Sequence, residues 1–268
     1  GAAATTMSLL TRRRSGDGGD RTSLRLAPHD EALIDAVTAV NPRTIVVLIG
    51  GGAVLCEQWR DAAGAIIHAW YPGMEGGNAL ADVLTGTSEP AGRLPFAVPT
   101  DEAHLPHFDH DARSIVYDRW WGQRRFDRDE RGVAFPLGFG LGYTTFEITG
   151  LTVLDVDADA LTAHAEVVVR NSGVRAGSTV VQIYASGEAG PQRAQRQLVG
   201  FACVTAEPDE TRTVHADLSL RPLASRDAVT RKWSIVDADY TIEAGQFAGD
   251  PDSVLQRLVV TPGAEHQE

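Results

Sequence analysis

The stretch Pro28–Gly51, PHDEALIDAVTAVNPRTIVVLIGG, sets the architecture of the first half of the chain. Asp30 and Glu31 favour the start of a helix by complementing its dipole. Leu33, Val37 and Val40 then recur on one face, with Ile34 beside them. Asn41-Pro42 ends that helix, because a residue before proline is pushed out of the α region. The apolar run Ile45 to Ile49 has the signature of a strand covered on both faces. A glycine break follows, then AGAIIHAW (63–70) as a second buried strand. A helix is expected over 78–85, with Ala79, Leu80, Val83 and Leu84 at helical spacing. Alternating helix and strand imply a parallel or mixed sheet with helices on both sides.

The periodicity changes after about Thr149. AEVVVRNSG, STVVQIYASG, RQLVGFACV, TRTVHADLSL, RKWSIVD and DYTIEAGQ are short runs rich in alternation or β-branched residues. Turn-forming residues separate them, Asn171-Ser172-Gly173 among them. Short strands at this spacing predict an antiparallel sandwich. The expected organisation is a tail over 1–15, an α/β domain over 16–148, a β-sandwich over 149–262 and a tail over 263–268.

The formal charge of -12 and a pI near 5.1 argue against a nucleic-acid partner, which needs concentrated Lys and Arg. The cluster Arg12-Arg13-Arg14 lies in a small-residue tail and reads as solvated. No apolar run is long enough to cross a bilayer, so no membrane partner is expected. The arginines follow the weak apolar stretch instead of preceding it, which is not the order of a signal peptide. Cys56 and Cys203 have no partner motif and are expected to be buried thiols in a reducing compartment, so a cytoplasmic location is expected.

YPGMEGGNALADVLTG (71–86) opens a helix behind Gly73, Gly76 and Gly77, the general form of a phosphate cradle. The spacing excludes that use. A P-loop needs a Lys after its last glycine, and none follows Gly77. IGGGAVLCEQ lacks the third glycine of a dinucleotide fingerprint. No cofactor is expected, and the glycines are expected to shape a tight strand-to-helix crossing. HLPHFDHD spaces His104, His107 and His110 by three residues, as ligands on a helix would be. Pro106 favours a loop and no Cys or ordered acid completes a site, so no metal is expected.

The same glycine stretch, with EPAGRLP after it, resembles the C-terminal α/β domain of glycoside hydrolase family 3, the β-glucosidase-like family. GDRTSLRL and NPRTIVVLIGGGAVL upstream, and VYDRWWGQRRFD and FPLGFGLGYTTFE downstream, carry the likeness further. NSGVRAGSTVVQIY, QLVGF and WSIVDADYTIEAGQ resemble the fibronectin type III-like domain that often follows. The resemblance covers about 16–249. It implies an α/β three-layer sandwich, with a partly truncated sheet, followed by an immunoglobulin-like sandwich.

It also implies retaining hydrolysis of a β-glucoside-like carbohydrate with two carboxyl groups. The nucleophile, an Asp, would sit on a (β/α)8 barrel, for which no segment here is long enough. That barrel would be a partner domain or chain. The general acid/base is, in many members, a Glu before Gly-x-Asp-Arg. The corresponding stretch here is SGDGGDR, which makes Asp17 the candidate and shortens the side chain by one methylene. A solvated loop residue is the other reading of Asp17. Asp20 and Arg21 read as a local ion pair or loop tie, with sugar binding as the other reading.

Trp120 and Trp121 are candidate substrate-binding residues, since aromatic rings stack on the C–H faces of a pyranose. Burial under the barrel is the alternative reading. Glu75 either supports the helix N-terminus or touches sugar directly. A non-catalytic carbohydrate-binding or interaction module is the rival to the enzyme reading.

Overall fold

The computed structural model describes residues 23–109, 112–187 and 195–260. They form two compact units, and the chain passes between them several times. The first unit holds the described residues up to Ser88, together with Phe96–Gly122 and Arg131–Phe135. The second takes Glu89–Pro95, Gln123–Glu130 and the chain from Pro136 onward.

In the first unit, helix α1 spans Pro28–Val40, with proline in its first turn, where the missing N–H costs nothing. The face it buries differs from the expected one. Ile34 and Thr38 are buried and Val37 is half-buried, whereas Leu33 is exposed and Val40 is 83% exposed. Thr38 survives burial because its hydroxyl donates to the Ile34 carbonyl at 2.8 Å. That turn of the helix therefore reads i, i+4 through Ile34 and Thr38, a pattern a purely apolar count misses.

Strand β1 (Ile45–Leu48) lies parallel to β2 (Ala65–His68), with Ile45 opposite Ala65 and Leu48 opposite His68. Val46, Val47 and Leu48 are all buried, so both faces of β1 are covered. The expected burial of β2 is not found: Ala65 is exposed and the next three residues are half-buried. Helix α2 spans Gly76–Thr85 and ends on Gly86 at φ 75. Its apolar stripe is thinly covered, with Leu80 and Val83 half-buried and Leu84 exposed. This unit also holds a short antiparallel pair, β3 (Val98–Pro99) and β4 (Val133–Phe135).

The second unit is the expected antiparallel sandwich, preceded by the short helix α3 (Gln123–Arg128). One sheet has the order β5-β6-β9, with β5 over Phe146–Asp157, β6 over Thr162–Asn171 and β9 over Thr211–Ser219. The other has β7 (Gly177–Gly187) between β8 (Gln197–Ala206) and β12 (Ala238–Gly245), with β13 (Val254–Val260) beyond β12. Alternating residues of both sheets meet in one core that includes Val167, Val169, Val181, Ile183, Leu218, Tyr240 and Ile242.

Asn171 marks the crossing from one sheet to the other. It is fully buried, its amide donates to the carbonyls of Arg175 and Ala206, and its Oδ1 accepts from the Thr144 hydroxyl and the Gly173 N–H. A single asparagine so satisfied fixes the turn without an orphaned polar group. RKWSIVD is not a sandwich strand. Only Trp233–Ser234 (β11) is extended, in a hairpin with Ser225–Arg226 (β10).

Candidate active site

Because β1 and β2 are parallel, the loops that leave them emerge at one edge, where open α/β sheets place ligands. The two exits are tied together. Ala69 N donates to the Leu48 carbonyl at 2.8 Å, and Gly50 N donates to the Trp70 carbonyl at 3.2 Å. His68 Nε2 lies 3.2 Å from the Gly52 carbonyl oxygen. Gly51 leaves room for the next loop: a Cβ there would sit 2.8 Å from the Tyr71 ring.

An aromatic group lines this edge. The His68 and Trp70 rings lie 4.2 Å apart between centroids, and Phe96 meets Trp70 edge-on at 5.6 Å. Trp70 adopts φ 54, a left-handed conformation that bulky residues avoid unless the surroundings enforce it. The sequence reading did not single out this trio. Its signal was two rings, His68 and Trp70, closely spaced at the end of an apolar run.

The glycine stretch forms the turn from β2 into α2. Gly73 sits at φ 70, and a Cβ on Gly76 would fall 2.6 Å from Pro72 Cγ, whereas Gly77 faces open space. Glu75 occupies the cap position of α2, but its carboxylate does not accept from the first backbone N–H groups. It takes instead the Asn78 side-chain amide at 2.6 Å. Beside it Met74 is fully exposed and Tyr71 largely so.

Trp120 and Trp121 lie in a segment without regular structure, as expected. Trp120 is half-buried, its backbone N–H donates to Asp118 Oδ1 at 2.8 Å, and the Arg119 guanidinium stands 5.4 Å over its ring. Trp121 is 56% exposed, and Phe108, Ile115, Val116 and Tyr117 of the same segment are also exposed. Exposed apolar side chains thus recur along this one segment.

Asp17, Asp20 and Arg21 lie outside the described residues, as does His110. Around the other histidines the chain forms a single 3-10 turn, Glu102–His104, capped by Asp101, so the helix that would align them is not there. Among the described residues no three His, Cys, Asp or Glu side chains group so as to hold a metal ion. Among them, too, no helix is long and apolar enough to cross a membrane. The thiols differ from expectation in one respect: Cys56 is buried but Cys203 is exposed, on the outward side of β8.

Comparison with known proteins identifies the family of the chain. Residues 2–143, more than half of the chain, match the family model described as the glycosyl hydrolase family 3 C-terminal domain. The chain belongs to glycosyl hydrolase family 3. Residues 179–248 match the fibronectin type III-like domain. The family member is 36% identical over 254 residues to beta-glucosidase B of Emericella nidulans, a match covering 87% of this chain and 30% of that protein. It is 32% identical to an exo-alpha-(1->6)-L-arabinopyranosidase of Bifidobacterium breve, across 90% of this chain and 32% of that one. Among solved structures, beta-glucosidase from Kluyveromyces marxianus in complex with glucose superposes with a TM-score of 0.81 at 34% identity, over 90% of this chain and 30% of that chain. The family 3 chain thus spans about a third of the length of the curated relatives it matches, and corresponds to their C-terminal portion.

Proposed function

We propose that the chain acts as the C-terminal part of a retaining β-glucosidase that removes a terminal sugar from a β-glucoside. The observation that carries this reading is the match across 87% of the chain to a beta-glucosidase at 36% identity. The aromatic edge at His68, Trp70 and Phe96, with Trp121 on a separate loop, supplies the kind of apolar ring that a pyranose stacks against.

In this reading the nucleophile is an Asp of a (β/α)8 barrel lying outside residues 1–268. It attacks the anomeric carbon while Asp17 gives its proton to the departing glycosidic oxygen. Asp17 then takes a proton from water, which attacks the same carbon and frees the carboxylate of the barrel. Two inversions give net retention, and no metal or organic cofactor enters. Trp120 and Trp121 position the sugar or the barrel at the mouth of this site. The test is hydrolysis of an aryl β-glucoside by the chain alone and with a cognate barrel. Turnover only in the mixture, reduced at least about 100-fold by Asp17→Ala, supports the assignment. Turnover that survives Asp17→Ala refutes it.

A non-catalytic binding module is the second reading, favoured by the open aromatic surface of Tyr71 and Trp121. Binding of glucosides without turnover, in either the isolated chain or the mixture, selects it.

A further inference from the structure

The hairpin β10–β11 carries a charge opposite to that of the chain around it. RPLASRDAVTRKW (221–233) contains Arg221, Arg226, Arg231 and Lys232, the last being the only lysine in a chain of net charge -12. The single carboxylate in this stretch, Asp227, is used up by its own turn: it accepts from Thr230 N at 2.6 Å, Thr230 Oγ1 at 2.8 Å and Val229 N at 3.0 Å. All four cations are exposed, and none is ion-paired with a described residue.

An indole lies among them. Arg226 is the cross-strand partner of Trp233, and the Arg221 guanidinium stands 4.7 Å over the Trp233 ring. Directly paired residues in an antiparallel ribbon project from the same face, so Arg226 flanks the ring that Arg221 covers. Trp233 remains 40% exposed. Unpaired like charges repel one another, and a large ring left partly in water forfeits burial. Both are relieved by one ligand that brings anionic groups and a flat apolar surface together.

We propose that this hairpin is a docking site for an acidic polysaccharide, a chain of pyranose rings bearing carboxylates. The ring C–H face packs on the exposed side of Trp233, and Arg221 and Arg226 donate to the carboxylate, as planar guanidinium groups do best. Arg231 and Lys232 add attraction along the chain without fixed geometry. A polyanion lacking an apolar face would use the four charges and leave Trp233 idle. The site stands apart from the hydrolytic reading and does not depend on it.

The experiment is electrophoresis of the full chain through native gels containing polygalacturonate, its fully methyl-esterified form, or no polymer. Retardation is expected in polygalacturonate alone, and is lost at 1 M salt, where the Debye length falls to about 3 Å. Arg221→Gln and Arg226→Gln should each weaken it about two- to five-fold. Trp233→Ala, which changes no charge, should weaken it as well, and Trp233→Tyr should keep most of it. Arg43→Gln, with the same charge change at an exposed site elsewhere, should do nothing. The proposal fails if polygalacturonate does not retard the chain or if Arg43→Gln matches the hairpin variants. It fails too if Trp233→Ala binds as the parent does, which is simple ion exchange, or if phosphatidylserine vesicles capture the chain more tightly than the glycan. Glucoside turnover is not a readout, so loss of the hydrolytic reading leaves this result intact.

Discussion

Arg196 Nε donates to Glu243 Oε2 at 2.8 Å, and the same guanidinium reaches Asp127 Oδ2 at 3.1 Å, so one residue ties β12 to α3. The hold extends through Asp127 Oδ1, which accepts from Gln123 Nε2, and through Gln123 Oε1, which accepts from Leu137 N. Burial alone would push the Arg196 guanidinium down. The hydrogen bond and charge of Glu243, with Asp127, more than offset it and raise it. α3 has only six residues, too few to be stable by propensity, so it depends on this tether.

Arg196→Met should therefore cost about 2–3 kcal/mol, because it leaves two poorly solvated carboxylates facing each other without a cation. The check is the urea midpoint at constant slope. Adding Glu243→Gln to that variant should recover part of the loss, since one of the uncompensated charges is then gone.

The glycines of the α2 turn should separate into three behaviours. Gly73→Ala forces a side chain onto φ 70 and should cost about 1 kcal/mol. Gly76→Ala drives a Cβ against Pro72 and should cost about 1–3 kcal/mol. Gly77→Ala meets nothing and lies inside the helix, so it should stabilise by about 0.5–1 kcal/mol. Thermal unfolding of the three variants under one buffer decides the order. A destabilising Gly77→Ala would mean that the open space beside it is filled in the functioning protein.

The sequence revealed what periodicity encodes. β1 was legible because its apolar run is continuous, and the alternation of helices and strands along the first half pointed to a parallel or mixed sheet, of which the β1–β2 pair is the parallel case. The sandwich strands were legible from alternation, apart from β13 and the long β5, which begins at Phe146, ahead of the change in pattern. The buried face of α1 was misread because Thr38 counts as polar in sequence, yet its hydroxyl is satisfied within the helix and can be buried. β11 was misread because Trp233 and Ile235 look like a strand, while Asp227 and Thr230 together build a hairpin turn that only three dimensions reveal. At the site, Trp120 and Trp121 stood out as rare residues. His68, Trp70 and Phe96 did not, because Phe96 joins the pair from 26 positions downstream.

The two thiols should differ sharply toward alkylation. Burial pushes the Cys56 thiol up to about 11, so at pH 8 roughly one molecule in a thousand carries a thiolate there, in a site solvent does not reach. Cys203 is exposed. Iodoacetamide at pH 8 should modify Cys203 within minutes and Cys56 only on global unfolding, read by intact mass followed by peptide mapping. Equal rates would place Cys56 in a segment that opens locally.

Low pH should loosen the β10–β11 hairpin before it unfolds the sandwich. The backbone N–H of Thr230, the Thr230 hydroxyl and the Val229 N–H hold the Asp227 carboxyl below its usual range. A depressed folded-state value means that the turn gains its stabilisation above the unfolded value, about 3.9, and loses it as pH falls through the folded one. The amides of Val229 and Thr230 should thus be protected from exchange at pH 5–6 and lose protection progressively below about pH 4, while Val167 and Val181 in the core stay protected. Asp227→Ala should show the unprotected hairpin at every pH. If protection at Val229 and Thr230 is the same at pH 3 as at pH 6, the carboxylate does not hold this turn. The ring of Trp233 would then owe its position to the Arg221 contact and the short β10–β11 ladder alone.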